Sequence, residues 1–275
     1  MFNIRKMIID SFLDRLKSDF RVAYGFWNEE YGNIAAWAGR MALENIANSD
    51  ALYHDLEHTI MVTCVGQEIL RGKHLLEGGV SPQEWLHGIV ALLCHDIGYV
   101  YGICADDRNG RFATGNGTET KTYDKKGTDV FLTPYHVDRA KLFVRERFSP
   151  NLSIDEEKVA SLIERTRFPI PDNREHEKAS DFPGLIRASD LIGQLGDPNY
   201  LRKIPALYYE FEEIGTNNKI GYNNPEDMRQ NYAKFYWETV SPYIQEGLRF
   251  LRVTQTGKQW IANLHSQVFE IEHGL

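Results

Sequence analysis

Three helical segments in this sequence carry ionisable side chains on faces that are otherwise apolar, and this pattern restricts how the chain can fold. His54 and His58 lie one helical turn apart and share a stripe with the apolar residues that follow them. Asp96 continues the apolar stripe of a second segment, with His95 beside it, and Asp190 lies within the apolar run PGLIRASDLIGQL. Because apolar faces pack inwards, the sequence predicts that these groups meet inside the protein.

The cost of burying charge indicates what these groups do together. A buried ionised carboxylate without a partner is strongly destabilising, and no arginine or lysine is evident on the same faces. One buried histidine or aspartate is usually an ordinary core residue or cap, but three such segments favour a shared ligand. Imidazoles and carboxylates form a mixed nitrogen and oxygen set that suits Zn, Fe, Mn or Ni, with Mg as a neighbour. The pattern therefore predicts one or two bound divalent metal ions.

Helix-start signals predict an all-α fold. Ser81 and Glu84 have the spacing of a capping box, Ser153 and Glu156 repeat it, and Asn224 precedes a proline at a third helix start. No segment alternates apolar and polar residues between turn signals, and no internal repeat is evident. We therefore expect an all-α, multi-helix bundle that forms a single domain.

The composition limits the partners of the chain. A net charge of -8 argues against non-specific nucleic-acid binding, which requires clustered basic residues. Charged residues interrupt the apolar stretch near the N-terminus, which predicts neither a signal peptide nor a membrane-spanning helix. Three cysteines at no metal-binding spacing predict a reduced, cytoplasmic protein. The oligomeric state stays open.

The four residues His58, His95, Asp96 and Asp190 resemble the H…HD…D signature of HD-domain metal-dependent phosphohydrolases. The tetrapeptide HDIG within ALLCHDIGY, after an apolar helix, is characteristic of that superfamily. The resemblance implies that these four residues hold the metal. It also implies that residues 1–275 form one HD-type helical bundle. The core of this bundle would cover residues 50–195, with N-terminal helices at 1–45 and C-terminal helices at 196–275.

A finer resemblance points to the cyclic-nucleotide phosphodiesterase branch. The run YHDLEH is similar to the YHN-x-x-H motif of that branch, which implies that His54 is the general acid and His58 a metal ligand. Phe235, followed by a proline seven residues later, resembles the aromatic substrate clamp, and Tyr232 stands where the branch has a purine-reading glutamine. The chain departs from the branch at Tyr99, where a second histidine is usual. Cyclic-nucleotide specificity therefore does not follow.

The resemblance implies hydrolysis of a small phosphoester, of a nucleotide or cyclic nucleotide in particular, by a water molecule that the metal activates. His54 would protonate the leaving oxygen. Two other functions stay open: a regulatory protein that binds a nucleotide without turnover, and a di-iron oxygenase of the same superfamily. The first would not need an acid beside the metal, and the second would contain iron and consume oxygen.

The long segment at 101–134 is rich in glycine, threonine and charged residues, and it is either a functional lid or a surface insertion without a role. His136 and His176 are expected to be surface or loop residues because their positions do not match the motifs of the oxygenase branch. Four basic residues could meet phosphate, although a solvated charge cluster is the favoured interpretation. These residues are Lys125, Lys126, Arg165 and Arg167.

Overall fold

The computed structural model describes residues 2–26, 28–123, 127–149 and 151–274. It is mostly helical, which confirms the all-α prediction. Arg111–Ala113 and Thr120–Thr122 form a short antiparallel hairpin, β1 and β2, with Phe112 opposite Lys121, which no alternating pattern in the sequence indicated. Of the four basic residues expected to form a solvated charge cluster, Lys125 and Lys126 lie outside the described residues.

The α-helices follow one another along the chain and differ widely in length. They are α1 (Ile4–Tyr24), α2 (Glu29–Ile46), α3 (Leu56–Glu77), α4 (Pro82–Cys94), α5 (His136–Phe148), α6 (Glu156–Glu164), α7 (Arg174–Glu177), α8 (Phe182–Leu195), α9 (Tyr200–Glu213), α10 (Thr216–Ile220), α11 (Pro225–Gln230), α12 (Tyr232–Phe235), α13 (Ser241–Leu251) and α14 (Gln255–His273). Short 3-10 turns cover Ile97–Tyr99 and Asp129–Leu132, and a π-helical turn covers Tyr236–Val240.

Most of the helix starts obey the sequence signals. Ser81 and Glu84 form the expected capping box at α4, and Asn224 accepts hydrogen bonds from backbone N–H groups in the first turn of α11. The start of α6 differs, because Asp155 rather than Ser153 accepts the capping hydrogen bond, from the N–H of Lys158. Aspartate is as good a cap as serine, so the local sequence offered two caps two residues apart.

Two apolar cores flank α3. One contains buried residues of α1, α2, α4, α5 and α6, and the other contains those of α8, α9, α13 and α14. Val62 and Leu70 of α3 belong to the first core, while Val65 and Ile69 belong to the second. Because α3 lies between the cores, the residues of its first turn lie where the two halves of the protein meet.

Close packing of α3 against α8 depends on a glycine. A Cβ atom added to Gly193 would lie 2.6 Å from the Cα of Val62, which is closer than two carbon atoms can approach. The missing side chain therefore lets the backbones of the two helices approach each other one turn away from Asp190 and from His58.

The hairpin is fixed to the body of the protein by one buried arginine. Arg139 of α5 donates to the carbonyl oxygens of Gly98, Val100 and Ala113, and it forms an ion pair of 2.9 Å with Asp107. Both side chains of that pair are fully buried. The segment before and within the hairpin is thus an ordered part of the fold next to the HD tetrapeptide.

No helix in the described part of the chain has the length and apolar character needed to cross a membrane.

Candidate metal centre

Four side chains from three helical segments come together beside α3. His58 lies in the first turn of α3, and its backbone N–H donates to the N-cap residue Asp55 at 3.0 Å. His95 and Asp96 directly follow α4, and Asp190 lies in the middle of α8. The structure therefore places the four expected metal ligands in one cluster.

The donor atoms of these residues face a common point. Nε2 of His95 and Nε2 of His58 lie 3.0 Å and 3.3 Å from Oδ2 of Asp96. Oδ1 of Asp190 lies 3.6 Å and 3.7 Å from the same two nitrogens. His58, His95 and Asp190 each offer one ligand atom, and these atoms lie within 4.8 Å of one another, so the cluster could hold a metal ion.

The separations have the size expected for ligands of one ion. Two atoms bound about 2.1 Å from an ion lie about 3.0 Å apart at a right angle and about 3.4 Å apart at the tetrahedral angle. The observed distances run from 3.0 to 3.7 Å. Nε2 of His95 and Oδ2 of Asp96 are both buried, and neither has a hydrogen-bond partner among the described residues. Because such atoms are rare in native proteins, a cation between them fits the site.

The orientation of His95 also suits a ligand. Its Nδ1 lies 2.7 Å from the carbonyl oxygen of Leu92, which can only accept, so Nδ1 carries a proton and donates it. The lone pair of the neutral ring is then on Nε2, the atom that faces the cluster. Histidine ligands of metals are commonly fixed in this way by a hydrogen bond at the other nitrogen.

The charges in the cluster favour a bound cation. Burial raises the pKa of Asp96, but His95 and His58 more than offset this and hold it well below its usual range. Burial lowers the pKa of His95, but the two aspartates raise it to about 9. Asp190 differs, because burial leaves its pKa raised. The aspartates thus favour protonation of the imidazoles. A metal ion would compete with these protons for the same nitrogen atoms.

His54 does not lie on α3, contrary to the expected shared stripe. It precedes the N-cap Asp55, and its Nδ1 lies 2.6 Å from Oε2 of Glu210 in α9. Its ring centroid is 5.6 Å from that of His58, so the two imidazoles are still neighbours. Burial lowers the pKa of His54, but Glu210 outweighs burial and raises it to about 9. The carboxylate of Glu210 therefore favours the protonated form of His54.

Glu210 is a residue of the candidate site that the sequence analysis did not single out. Besides its contact with the His54 ring, it accepts hydrogen bonds from the backbone N–H groups of Tyr53 and His54 at 2.7 and 3.3 Å. The side chain is 2% exposed. A buried glutamate within an amphipathic helix would have been a usable signal, but its partner lies far away in the chain.

His136 is a second residue that the sequence placed wrongly. It was expected at the surface or in a loop, but it is the first residue of α5 and lies inside the site. Its Nε2 is 4.0 Å from Oδ1 of Asp96, and its ring stacks on Tyr99, which stacks in turn on His54. The local sequence carries no sign of this arrangement, because it depends on how α5 approaches the HD tetrapeptide.

The site is closed on one side and open on the other. The side chains of His58 and His95 are 4% and 2% exposed, whereas those of His54, Asp190 and His136 are 18%, 17% and 14% exposed. A substrate would therefore meet the cluster from the side of these last three residues.

Two other residues singled out from the sequence lie away from solvent. His176 was expected at the surface, but it is buried in α7, where its Nδ1 accepts from the buried Arg187. Arg165 is also buried rather than solvated, because it donates to the carbonyl oxygens of Glu175 and Lys178. Backbone carbonyl oxygens therefore satisfy the buried guanidinium group. The prediction that Arg165 belongs to a solvated charge cluster was wrong.

Arg167 is only partly buried. It forms ion pairs with Glu164 and Asp138, so its charge is balanced within the protein. This arginine is therefore not a free cation for phosphate.

The two residues expected to contact substrate differ in position. Tyr232 is 2% exposed and donates its hydroxyl hydrogen to the carbonyl oxygen of Leu195, so neither its ring nor its hydroxyl faces solvent. Phe235 is half-buried and packs edge to face against Phe168, with ring centroids 5.9 Å apart. Only Phe235 presents a surface that a ligand could reach in this conformation.

A family model described as Npun_R2479-like matches residues 2–274, a range that includes every residue of the site. No curated protein and no solved structure matches the chain.

Proposed function

We propose that this chain, which belongs to the Npun_R2479-like family, is a divalent-metal-dependent phosphohydrolase with an HD-type helical bundle. The substrate would be a small phosphoester, such as a nucleotide or cyclic nucleotide. The observation that carries the proposal is the buried cluster of two imidazoles and two carboxylates, with the pair of His54 and Glu210 beside it. Metal ligands next to a separate proton donor are what phosphoester cleavage requires.

His58, His95, Asp96 and Asp190 would hold the ion. When bound, the ion would polarise a phosphoryl oxygen and increase the acidity of a water molecule in the site. The buried faces of His58 and His95 keep bulk water away from the ligand atoms, while the partly exposed Asp190 leaves room for substrate. The chain itself would thus supply the ligands, hold them in a defined orientation and shield them from bulk water.

His54 would act as the general acid. Glu210 accepts the Nδ1 proton of its ring, so the second proton of the imidazolium is on Nε2 and is available to a leaving-group oxygen. After cleavage the neutral ring would regain a proton from solvent, because Glu210 keeps its pKa high. A positioned proton donor of this kind contributes roughly a hundred- to ten-thousand-fold in rate.

The first experiment is metal reconstitution followed by a phosphoester assay. The full chain would be stripped with a chelator, reconstituted with Mn²⁺, and assayed with bis(p-nitrophenyl) phosphate and a panel of nucleotide mono- and diesters. We expect turnover that depends on the ion and is lost in His58→Ala. His273→Ala, an exposed histidine in the last turn of α14, serves as the matched control and should keep full activity.

Two results would contradict the proposal. Metal-loaded protein that hydrolyses no ester in the panel, but binds a nucleotide, would indicate a regulatory binding protein instead. Iron in the purified protein, together with oxygen consumption on addition of an organic substrate, would indicate an oxygenase.

A further inference from the structure

A cavity lies between the start of α9, the end of α11 and the outer half of α14. Its volume is about 400 Å³, which is within the range of small-molecule sites in proteins. The described residues around it include Arg202 of α9, Arg229 of α11 and Ser266 of α14, but none of the candidate metal ligands. The cavity is therefore separate from the candidate metal centre.

The charged residues around this cavity are positive in sum, although the whole chain has a net charge of -8. Two arginines and one glutamate line it, and Glu270 is paired with Arg229 at 2.6 Å. Arg202 is exposed and forms no ion pair with any described residue. A guanidinium group without a carboxylate partner is a good donor for an anion, and its geometry suits phosphate in particular.

The start of α9 is a second source of positive potential at the cavity. Its N-cap residue, Asn199, lines the cavity and accepts no capping hydrogen bond from the first turn. The carboxylate of Asp197, two residues earlier, is balanced by Lys203 at 2.6 Å. The positive end of the helix dipole therefore lies at the cavity without a capping side chain, and it favours a bound anion.

A buried amide of α14 indicates what else a ligand would carry. Gln267 lines the cavity and is 5% exposed, and its Nε2 donates to the carbonyl oxygen of Asp197 at 2.7 Å. Because a carbonyl oxygen can only accept, the amide cannot be turned round, and Oε1 is the atom left over. Oε1 has no hydrogen-bond partner among the described residues. Buried acceptors are nearly always satisfied, so this amide suits a ligand with an N–H donor.

We propose that this cavity binds a small phosphorylated molecule that also carries N–H groups. Arg202 and the start of α9 would hold the phosphate, and Gln267 would accept a hydrogen bond from an N–H group. Asn263 and Ser266 line the same space and offer further polar contacts. The inference goes beyond the proposed function and does not rest on it, because it uses none of the candidate metal ligands.

The test measures binding to the full chain in the presence of a chelator, so that no ion at the metal centre can hold a phosphate. The probes are the 5′-monophosphates of adenosine, guanosine and cytidine, which have both a phosphate and N–H groups. Adenosine and inorganic phosphate each have only one of the two. We expect calorimetry to show one site per chain for at least one monophosphate, with adenosine and inorganic phosphate bound at least about tenfold more weakly.

Two variants assign the binding to the cavity. Arg202→Gln removes the unpaired charge and should weaken binding roughly ten- to a hundredfold, which is the size of a lost charge-assisted hydrogen bond. Ser266→Phe fills the space with a ring and should abolish binding. Arg252→Gln is the matched control and should bind normally, because Arg252 is also an exposed arginine but does not line the cavity.

The two cavity variants change exposed side chains, and circular dichroism checks that each is folded. If Ser266→Phe does not fold, Arg202→Gln decides the assignment alone.

Three results would overturn the inference. The first is that no monophosphate binds more tightly than about 1 mM. The second is binding that the folded variants leave unchanged, which would place the ligand elsewhere on the chain. The third is inorganic phosphate bound as tightly as the monophosphates, which would mean an adventitious ion only. None of these measurements depends on turnover, so a failure here differs from a failure of the proposed function.

Discussion

His54 and His58 lie four residues apart and meet different partners. His58 faces Asp96 and Asp190, whereas Nδ1 of His54 faces Glu210 on another helix. The arrangement separates a metal ligand from a proton donor, although the two rings are neighbours. Substitution of each residue should therefore have a different consequence.

The first prediction compares these two histidines. His58→Ala should lose the metal ion, because the ligands that remain bind it far more weakly. His54→Ala should keep the metal and the fold but turn over at least about a hundredfold more slowly. The loss should be smaller for p-nitrophenyl esters, whose leaving group hardly needs a proton. Elemental analysis and rates on an activated and an unactivated ester test this, and metal loss in His54→Ala would make His54 a ligand instead.

The second prediction concerns the pH dependence that Glu210 creates. Burial alone lowers the pKa of His54, and Glu210 raises it to about 9, so the acid stays protonated until the pH rises through that value. In Glu210→Gln the raising charge is gone, and the alkaline fall in kcat should move to a lower pH. The pH profile of kcat measures this shift. Metal content should not change, and an unmoved alkaline limb would show that His54 is not the acid.

The sequence predicted the clustering of the four candidate ligands better than it predicted the groups around them. His58, His95, Asp96 and Asp190 each lie next to a run of apolar residues, so burial of a polar group could be inferred from local periodicity. Glu210 and His136 enter the site through packing between segments distant in the chain, for which no local pattern exists. His54 was placed on a helix because the helix start was misjudged by two residues, an error that propensity cannot avoid.

At the scale of the elements, the crossing of α3 and α8 determines the geometry of the ligand cluster. His58 lies on one helix and Asp190 on the other, and the close approach at Gly193 brings them within reach of one ion. Helix lengths and starts were largely predictable from caps and apolar periodicity. The crossing of the two helices was not predictable. A glycine within a helix can be recognised in the sequence, but the backbone that packs against it cannot.

The third prediction tests that crossing. Gly193→Ala should destabilise the protein by about 1–3 kcal/mol, because the added methyl overlaps the backbone of Val62 and forces the helices apart. Metal affinity should fall as well, since His58 and Asp190 move apart. Gly79→Ala is the matched control, because an added Cβ there meets nothing within 4 Å. Denaturant unfolding and metal titration of both variants give the comparison, and equal stability of the two would contradict the packing argument.

The hairpin is the element that periodicity missed. Its strands are three residues each, so no alternating pattern could develop, and its position depends on the buried pair of Arg139 and Asp107. The sequence left the segment at 101–134 as either a lid or a passive insertion, and its described part is ordered by buried contacts.

At the scale of the whole molecule, the candidate metal site lies between the two apolar cores. The candidate ligands come from both sides of α3, so an ion bound at this point would stabilise the folded chain over any state in which the two halves separate. This is the usual linkage between a ligand and the state that binds it.

The fourth prediction follows from this linkage. Removal of the ion by EDTA should lower the Tm by roughly 5 to 10 °C, if the ion is present at about a thousand times its Kd. Without the ion, Asp96 and Asp190 are also left as neighbouring carboxylates around imidazoles. Calorimetry with and without the chelator measures the change, and re-addition of Mn²⁺ should restore the Tm. An unchanged Tm after confirmed metal loss would contradict a shared site.

The order of the ligands along the chain has a consequence for how the protein is made. Asp190 lies far beyond His95 in the chain, and Glu210 follows it on the next long helix. A nascent chain that has emerged from the ribosome only as far as α6 therefore has three of the four ligands and no partner for His54. Such an intermediate can hold an ion only weakly, and the complete reactive centre first exists when the second core has folded around α8 and α9.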